Sequence, residues 1–255
     1  MKLDLVKAFL TPFSDKGYPR KVLLLWLMFV MNAVYASQIR PSTEFVNISF
    51  FIISYIPSAI IHGYIIKTVH NEIKGNSPIM PEWTGNFYQY FLIGLKYIFI
   101  YCLYFLPAML LLSNAFAGVH APDGFTTLTN QIILFVLIPL TALFALISPF
   151  VTMSYAENFR FLDGFMLKKI CTEVFLNLKP YAQSGLVLIA LKSLIVVLKT
   201  AFRGTLIGMI FISLFDLYIS IVSLNLFAQI YRQRAAQVKA GEPAEATVAV
   251  KDELF

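Results

Sequence analysis

The sequence has little charge for its length. Only 13% of its 255 residues are Asp, Glu, Lys or Arg, whereas soluble domains carry roughly 25%. A soluble chain of this length could not hide so much apolar surface in one core. The 58% of hydrophobic residues and the mean hydropathy of +0.74 therefore indicate a polytopic membrane protein.

Cysteine and histidine are also scarce, with two and three residues respectively. Cys102 lies inside an apolar run and Cys171 in a charged stretch, so no structural disulfide is expected. His62, His70 and His120 have neither His-x-x-x-His spacing nor a neighbouring cysteine. We therefore predict no metal site and no cofactor.

Enzyme motifs are absent as well. The chain contains no glycine-rich phosphate loop, no Gly-x-Ser-x-Gly and no paired carboxylates on one exposed helix face. The net charge of +6 comes from basic residues that flank apolar runs, which favours anionic lipid headgroups over nucleic acid as the partner. We predict that the protein is not an enzyme, and a membrane-embedded enzyme built from scattered residues is the remaining alternative.

Long apolar runs fill most of the chain and predict an all-α, polytopic membrane helical bundle. Each run is near the ~20 residues that cross ~30 Å of hydrocarbon. We expect about six transmembrane helices, arranged as three hairpins, together with interfacial amphipathic helices. The alternative for the last two runs is a re-entrant pair. The predicted spans are about 22–39, 48–67, 97–116, 131–153, 182–198 and 205–230.

Amphipathic segments precede each predicted hairpin. Residues 1–13 alternate apolar and basic positions with helical period and predict an interfacial helix, and residues 84–96 and 162–178 have a similar character. This recurrence indicates either a threefold internal repeat or independent selection of aromatic and basic residues at a membrane surface. We assign residues 1–232 to one membrane domain and predict a disordered tail over 233–255.

Lys and Arg are distributed unevenly between the two sides of the predicted spans. The N-terminus, the loops after the second and fourth spans and the C-terminus hold sixteen of the 20 basic residues. The opposite side holds Arg40, Lys199 and Arg203, while Lys192 lies within a span. The positive-inside rule then predicts that both termini are cytoplasmic.

Two charged residues lie deep within the last two spans. A charge at mid-bilayer costs roughly 2.5–3.5 kcal/mol on insertion scales and tends to be paired or to line a wet path. Asp216 and Lys192 lie at similar depths across a tight hairpin, so one hypothesis is an ion pair. The alternatives are a snorkelling Lys192 with Asp216 bonded to Ser213 or Ser220, and proton or ion coupling.

His62 is the third polar candidate within the predicted spans. A lone histidine inside a span is more often a hydrogen-bonded packing residue than a metal ligand or a proton relay. The prolines Pro57, Pro107, Pro139 and Pro149 also lie within spans. They are interpreted either as kinks that improve packing or as hinges of a transport cycle.

A set of Gly, Tyr, Pro and Trp residues around the second and third spans resembles the membrane family catalogued as domain of unknown function 4013. The resemblance is firmest over residues 50–112, and the sequence departs from the family pattern at Met80 and at Thr84-Gly85-Asn86. It implies a multispan helical fold in the cytoplasmic (inner) membrane of a prokaryote and carries no chemistry with it. The residues concerned are Gly63, Tyr64, Gly75, Pro81, Trp83, Gly94, Tyr104 and Pro107.

These observations lead to two functional hypotheses. The first is a non-enzymatic scaffold or accessory subunit of a membrane complex, with a membrane protein or a second copy of the chain as its partner. Amphipathic segments and small loops favour it. The second is a small transporter or channel for an ion, a lipid or a small molecule, which the broken helices and the intramembrane charges Lys192 and Asp216 favour.

Overall fold

The computed structural model describes residues 4–13, 15, 17–38, 44–118, 125–202 and 206–240. Within this part of the chain all regular structure is helical. Two short 3-10 helices, Thr11–Phe13 and Phe161–Phe165, accompany the α-helices. The α-helices are α1 (Leu5–Leu10), α2 (Tyr18–Gln38), α3 (Glu44–Lys74), α4 (Phe87–Gly118), α5 (Phe125–Asn158), α6 (Leu167–Leu176), α7 (Leu178–Ala201) and α8 (Leu206–Ala240).

Three segments of the described chain are long and apolar enough to cross a membrane. They are Phe87–Pro107 in α4, Leu178–Ala201 in α7 and Ile210–Gln237 in α8, and they overlap the third, fifth and sixth predicted spans. The all-helical class is thus confirmed. Helices α2, α3 and α5 contain most of the other predicted spans, but that these helices cross the membrane, and that the spans form three hairpins, stays a prediction.

Helix α3 is the central element of the bundle and contacts α2, α4, α5 and α8. Its closest approach is to α4, at two glycines that face each other. A Cβ atom at Gly63 would lie 1.7 Å from the carbonyl oxygen of Tyr90, and one at Gly94 would lie 1.7 Å from that of Ala59. Only residues without a side chain allow the two backbones to meet in this way, as in other membrane helix pairs.

The largest buried cluster lies beside this crossing and joins α3, α4, α5, α6, α7 and α8. Its members are mainly β-branched and aromatic side chains, which lose little freedom on burial and pack tightly between helices. The cluster ties the short helix α6 to the long helices through Ile170 and Val174. Other members are Ile66, Val69, Ile100, Val151, Tyr155, Tyr181, Phe227 and Tyr231.

Two helix ends differ from the predicted boundaries. Helix α4 begins at Phe87 and runs without a break, so residues 87–96 belong to the same helix as the third span and do not form a separate interfacial segment. Lys96, which motivated that boundary, is exposed on the helix surface. Helix α8 continues to Ala240, since the Ala, Gln and Arg residues of 233–240 are good helix formers. The rest of the predicted tail, 241–255, lies outside the described residues.

The N-terminal segment forms α1 and a 3-10 helix, and it packs against α8. Ala8 is fully buried, the Tyr218 hydroxyl donates to the carbonyl oxygen of Phe9 at 2.9 Å, and the Gln229 side chain bonds both backbone groups of Asp4. Val6 and Leu10 remain exposed. The interfacial helix predicted over 1–13 is therefore helical over its described part and is docked on the bundle; residues 1–3 lie outside the described residues.

The glycine contact gives a first prediction. Replacing Gly63 by Ala places a methyl group against the Tyr90 carbonyl, so α3 and α4 must move apart, and we expect a loss of at least about 1–3 kcal/mol in unfolding free energy. Unfolding in bicelles measures this loss. Gly185→Ala is the matched control, because a Cβ atom there meets nothing within 4 Å; equal effects of the two substitutions would contradict the prediction.

Candidate functional site

Helices α7 and α8 bring three charged side chains together. The Lys192 ammonium lies 2.6 Å from Oδ1 of Asp216, and the Lys199 ammonium lies 3.7 Å from Oδ2 of the same carboxylate. We call these three residues the ion cluster. The hypothesis of an Asp216–Lys192 pair is therefore confirmed. Lys199 was not predicted to join it, because it lies close to the end of α7, where a lysine normally extends toward water.

The alternative hydrogen bonds of Asp216 are not formed. Ser213 donates to the carbonyl oxygen of Ile210, and Ser220 donates to the backbone oxygen of Asp216, so neither hydroxyl donates to the carboxylate. Lys192 likewise directs its ammonium to Asp216 instead of snorkelling. The ion cluster is held by its own three side chains.

The ion cluster lies on the outer face of the bundle. The side chains of Lys192 and Lys199 are 50% and 55% exposed, and that of Asp216 is 22% exposed. The surrounding surface is apolar and includes Ile189 and Val196, which are also exposed. Only 11% of the apolar window of α7 is buried in the bundle, against 44% for α8. The chain thus presents charge on the least covered of its candidate spans.

His62 lies one turn from Ser58 in α3 and lines a cavity between helices whose wall is mainly apolar. Its Nδ1 lies 2.7 Å from the carbonyl oxygen of Ser58, which can only accept, so Nδ1 carries the proton and Nε2 of the neutral ring is an acceptor. The cavity, of about 240 Å³, also has Tyr97, Ser220 and Ser223 in its wall. His62 is therefore hydrogen-bonded, as a packing residue would be, and also faces a space that could hold water or a small solute.

Tyr64 and Trp83, two of the residues that carry the family resemblance, meet Tyr90 in one contact, here called the aromatic clasp. The rings of Tyr64 and Trp83 stack at 4.1 Å with an 8° interplanar angle. The Tyr64 hydroxyl donates to the carbonyl oxygen of Pro81 at 3.0 Å, and the Tyr90 hydroxyl donates to that of Glu82. The clasp fastens the α3–α4 loop onto the helices beside the Gly63 and Gly94 crossing.

A buried lysine ties the N-terminal region to this loop. Lys21 donates to the carbonyl oxygen of Met80 at 2.9 Å and lies 2.8 Å from the Glu82 carboxylate and 3.8 Å from that of Asp15. Its own carbonyl accepts from the Trp83 indole at 3.2 Å. From the sequence alone, Lys21 is only a basic residue beside a predicted span. Asp15 and Glu82 are distant from each other in the sequence, so no local pattern could have indicated that both lie beside Lys21.

Three further family positions lie at the end of α3 and within α4. Gly75 has φ +71 and ends α3, with its amide bonded to Glu72 and that of Asn76 bonded to Asn71, which is the Schellman arrangement that favours glycine. Tyr104 donates to the carbonyl oxygen of Gly164 at 2.8 Å. Pro107 lies inside α4 and is exposed. These positions have structural roles in the described chain.

Charged residues also meet where α3 and α5 end and α6 and α7 begin, which we call the basic end. Glu72 is 2% exposed and accepts from Lys7 at 2.5 Å, with the guanidinium of Arg232 at 3.6 Å. This buried carboxylate locks α1 onto α3 and α8. No sequence pattern indicates this role, because Glu72 lies in a stretch whose composition is typical of a solvated loop.

A second group at the basic end joins α5, α6 and α8. Glu157 accepts from Lys169 at 2.9 Å and from the Tyr231 hydroxyl at 2.8 Å. Burial alone would raise the pKa of the Glu157 carboxyl, but these two hydrogen bonds outweigh it and lower the pKa. Beside it, the Nδ1 of His70 donates to the carbonyl oxygen of Ala156 at 2.8 Å. Burial lowers the pKa of His70 from its ordinary value of 6.5, and this hydrogen bond offsets only part of the effect.

The ion cluster gives a second prediction, tested by a double-mutant cycle. We expect Lys192→Met and Asp216→Asn to be coupled in unfolding free energy by on the order of 1 kcal/mol, because each removes the partner of the other. Lys179→Met combined with Asp216→Asn is the control, since Lys179 lies 13 residues before Lys192 in α7, about 20 Å away along the helix. Additive effects in the first pair would contradict a coupled cluster.

A third prediction concerns pH. The folded pKa of His70 is below 6.5, so its contribution to stability is complete above pH 6.5 and is lost as the pH falls from 6.5 toward the folded pKa. We expect the melting temperature to fall between pH 7 and pH 5, and to fall less in His70→Gln. The two proteins should show parallel profiles above pH 7.5, and an unchanged acid slope in the variant would refute the assignment to His70.

Comparison with known proteins identifies the family of this chain. No curated protein and no solved structure matches the chain. The model of the family described as "Protein of unknown function (DUF4013)" matches residues 47–215, which is about two thirds of the chain. The matched region includes the crossing glycines, the aromatic clasp, Lys192 and Lys199, and it ends one residue before Asp216. The chain belongs to the DUF4013 family of proteins of unknown function.

Proposed function

We propose that this protein is a non-enzymatic scaffold or accessory subunit of a membrane complex. The supporting observation is the ion cluster, which is half exposed on the apolar outer face of α7 and α8. Charged groups at lipid-facing positions are unfavourable, whereas polar groups between membrane helices hydrogen-bond across the interface. A second membrane protein that covers this face would remove the charges from lipid.

The proposal places the protein in the cytoplasmic membrane of a prokaryote as a multi-pass protein with both termini in the cytoplasm. The basic end then faces the inner leaflet. Its short helix α6 exposes Leu167 and Phe175 beside Lys168. Such a combination of apolar and basic side chains favours contact with anionic headgroups.

Native mass spectrometry tests the proposal directly. The full chain is extracted from its own membrane in polymer-bounded nanodiscs, so that lipids and partners are retained. We expect a stoichiometric companion protein in the spectrum. A chain that appears alone or only with lipid contradicts the accessory-subunit role, and a homodimer without any other protein points to self-association in its place.

The cavity lined by His62 and Tyr97 favours a second candidate function, a small transporter or channel. His62, Ser220 and Ser223 line the same cavity, so polar side chains of two helices border one space. Vesicles that contain the protein and a pH-sensitive dye would reveal a proton pathway after a potential is imposed. Flux that disappears in His62→Gln and in Asp216→Asn would support transport, while vesicles no more permeable than protein-free ones would exclude proton transport.

A further inference from the structure

We infer that the face of α7 and α8 around the ion cluster binds a membrane helix that carries one Asp or Glu carboxylate. The inference rests on the proposed function and specifies the chemistry of the partner. It starts from the charges themselves, because the ion cluster combines two ammonium groups with a single carboxylate. One positive charge is therefore left without a counter-ion on an apolar face.

Helices α7 and α8 offer no second acid to neutralise it. Asp216 is the only Asp or Glu between Glu173 and Glu242, a stretch that includes all of α7 and α8. The same stretch contains seven Lys and Arg residues. Among the residues that the structure describes, Asp216 is the only acid within ion-pair distance of Lys192 or Lys199, so a carboxylate on another molecule would neutralise the excess charge.

The geometry indicates that Lys199 is the residue that can bind a further carboxylate. Lys192 makes a short hydrogen bond of 2.6 Å to Oδ1 of Asp216, whereas Lys199 lies 3.7 Å from Oδ2, beyond hydrogen-bond distance. An ammonium has three donors, and the Lys199 side chain is 55% exposed. It can hold a second carboxylate without breaking the Lys192–Asp216 contact.

The position of the ammonium favours a helix over a lipid phosphate. The backbone of Lys199 is two residues from the end of α7 at Ala201, so its side chain could extend outward to a headgroup. It extends instead toward Asp216, which is ten residues into α8, about 15 Å along the helix. A carboxylate on a neighbouring helix reaches that depth, while a phosphate stays at the membrane surface.

A second copy of the chain is the less favourable occupant. It would present the same excess positive charge to an identical face, so two equivalent faces would repel each other. An acidic side chain on a different helix brings the opposite charge. Charge complementarity thus selects a carboxylate-bearing helix.

Designed membrane peptides test the inference with the full chain. The probe is a labelled Leu- and Ala-rich transmembrane helix with one central Glu, and its control has Gln at that position. Association is measured by energy transfer in phosphatidylcholine vesicles. We expect the Glu peptide to bind about tenfold more tightly than the Gln peptide. Equal binding of the two peptides would overturn the inference.

Variants of Lys199 identify the group responsible. Lys199→Gln removes the excess charge and keeps the Lys192–Asp216 pair, so the preference for Glu should disappear, while Lys199→Arg should retain it. Lys179→Gln, at the other end of α7, should also retain it. An unchanged melting temperature in Lys199→Gln shows that the fold is intact. A preference that survives Lys199→Gln, or that phosphatidylglycerol abolishes, would overturn the inference.

The native complex separates this inference from the proposed function. If the chain purifies with a companion that Lys199→Gln releases, both are supported. If the companion stays bound to Lys199→Gln, the accessory-subunit role holds and the acidic-helix inference fails. If the wild-type chain has no companion and yet binds the Glu peptide selectively, the proposed function fails while the recognition chemistry of this face stands.

Discussion

The backbone contact between Gly63 and Gly94 is the constraint on which the rest of the bundle depends. It brings α3 and α4 so close that no side chain fits between them at that point. In lipid there is little hydrophobic gain from helix association, so close van der Waals packing has to supply the stability. This contact sets the distance at which the loop between the two helices must turn back, and so it determines where the aromatic clasp can form.

The aromatic clasp also holds the N-terminal region in place. Trp83 stacks on Tyr64 and donates to the carbonyl of Lys21, whose ammonium bonds the loop in return. A buried ammonium is stable only when it is paired and hydrogen-bonded, and here Asp15 and Glu82 supply the charges. The family positions around 63–94 are therefore parts of one folded unit, and the N-terminal residues complete it although they lie outside the family match.

The helices and one ion pair could be predicted from the sequence, because the helices follow from local apolar runs and the pair follows from the positions of two charged residues along neighbouring spans. Apolar runs locate the helices, and equal depth across a hairpin pairs Lys192 with Asp216. The boundaries at Phe87 and Ala240 were missed because the polar residues of 87–96 and 233–240 predict an end to the apolar run, whereas neither stretch contains a proline that would end the helix. The roles of Lys21 and Glu72 depend on partners more than 50 residues away, and only the tertiary fold brings such groups together.

The two charged regions of the molecule differ in how their positive charge is compensated. At the basic end, Glu72 and Glu157 each bind basic side chains of other helices, so the charges there hold the bundle together. On α7 and α8, one carboxylate serves two ammonium groups, and much of that surface remains uncovered. Internal stability alone would be served by an apolar face. The exposed surplus of charge among apolar residues is therefore the observation on which the proposed interface with another molecule depends.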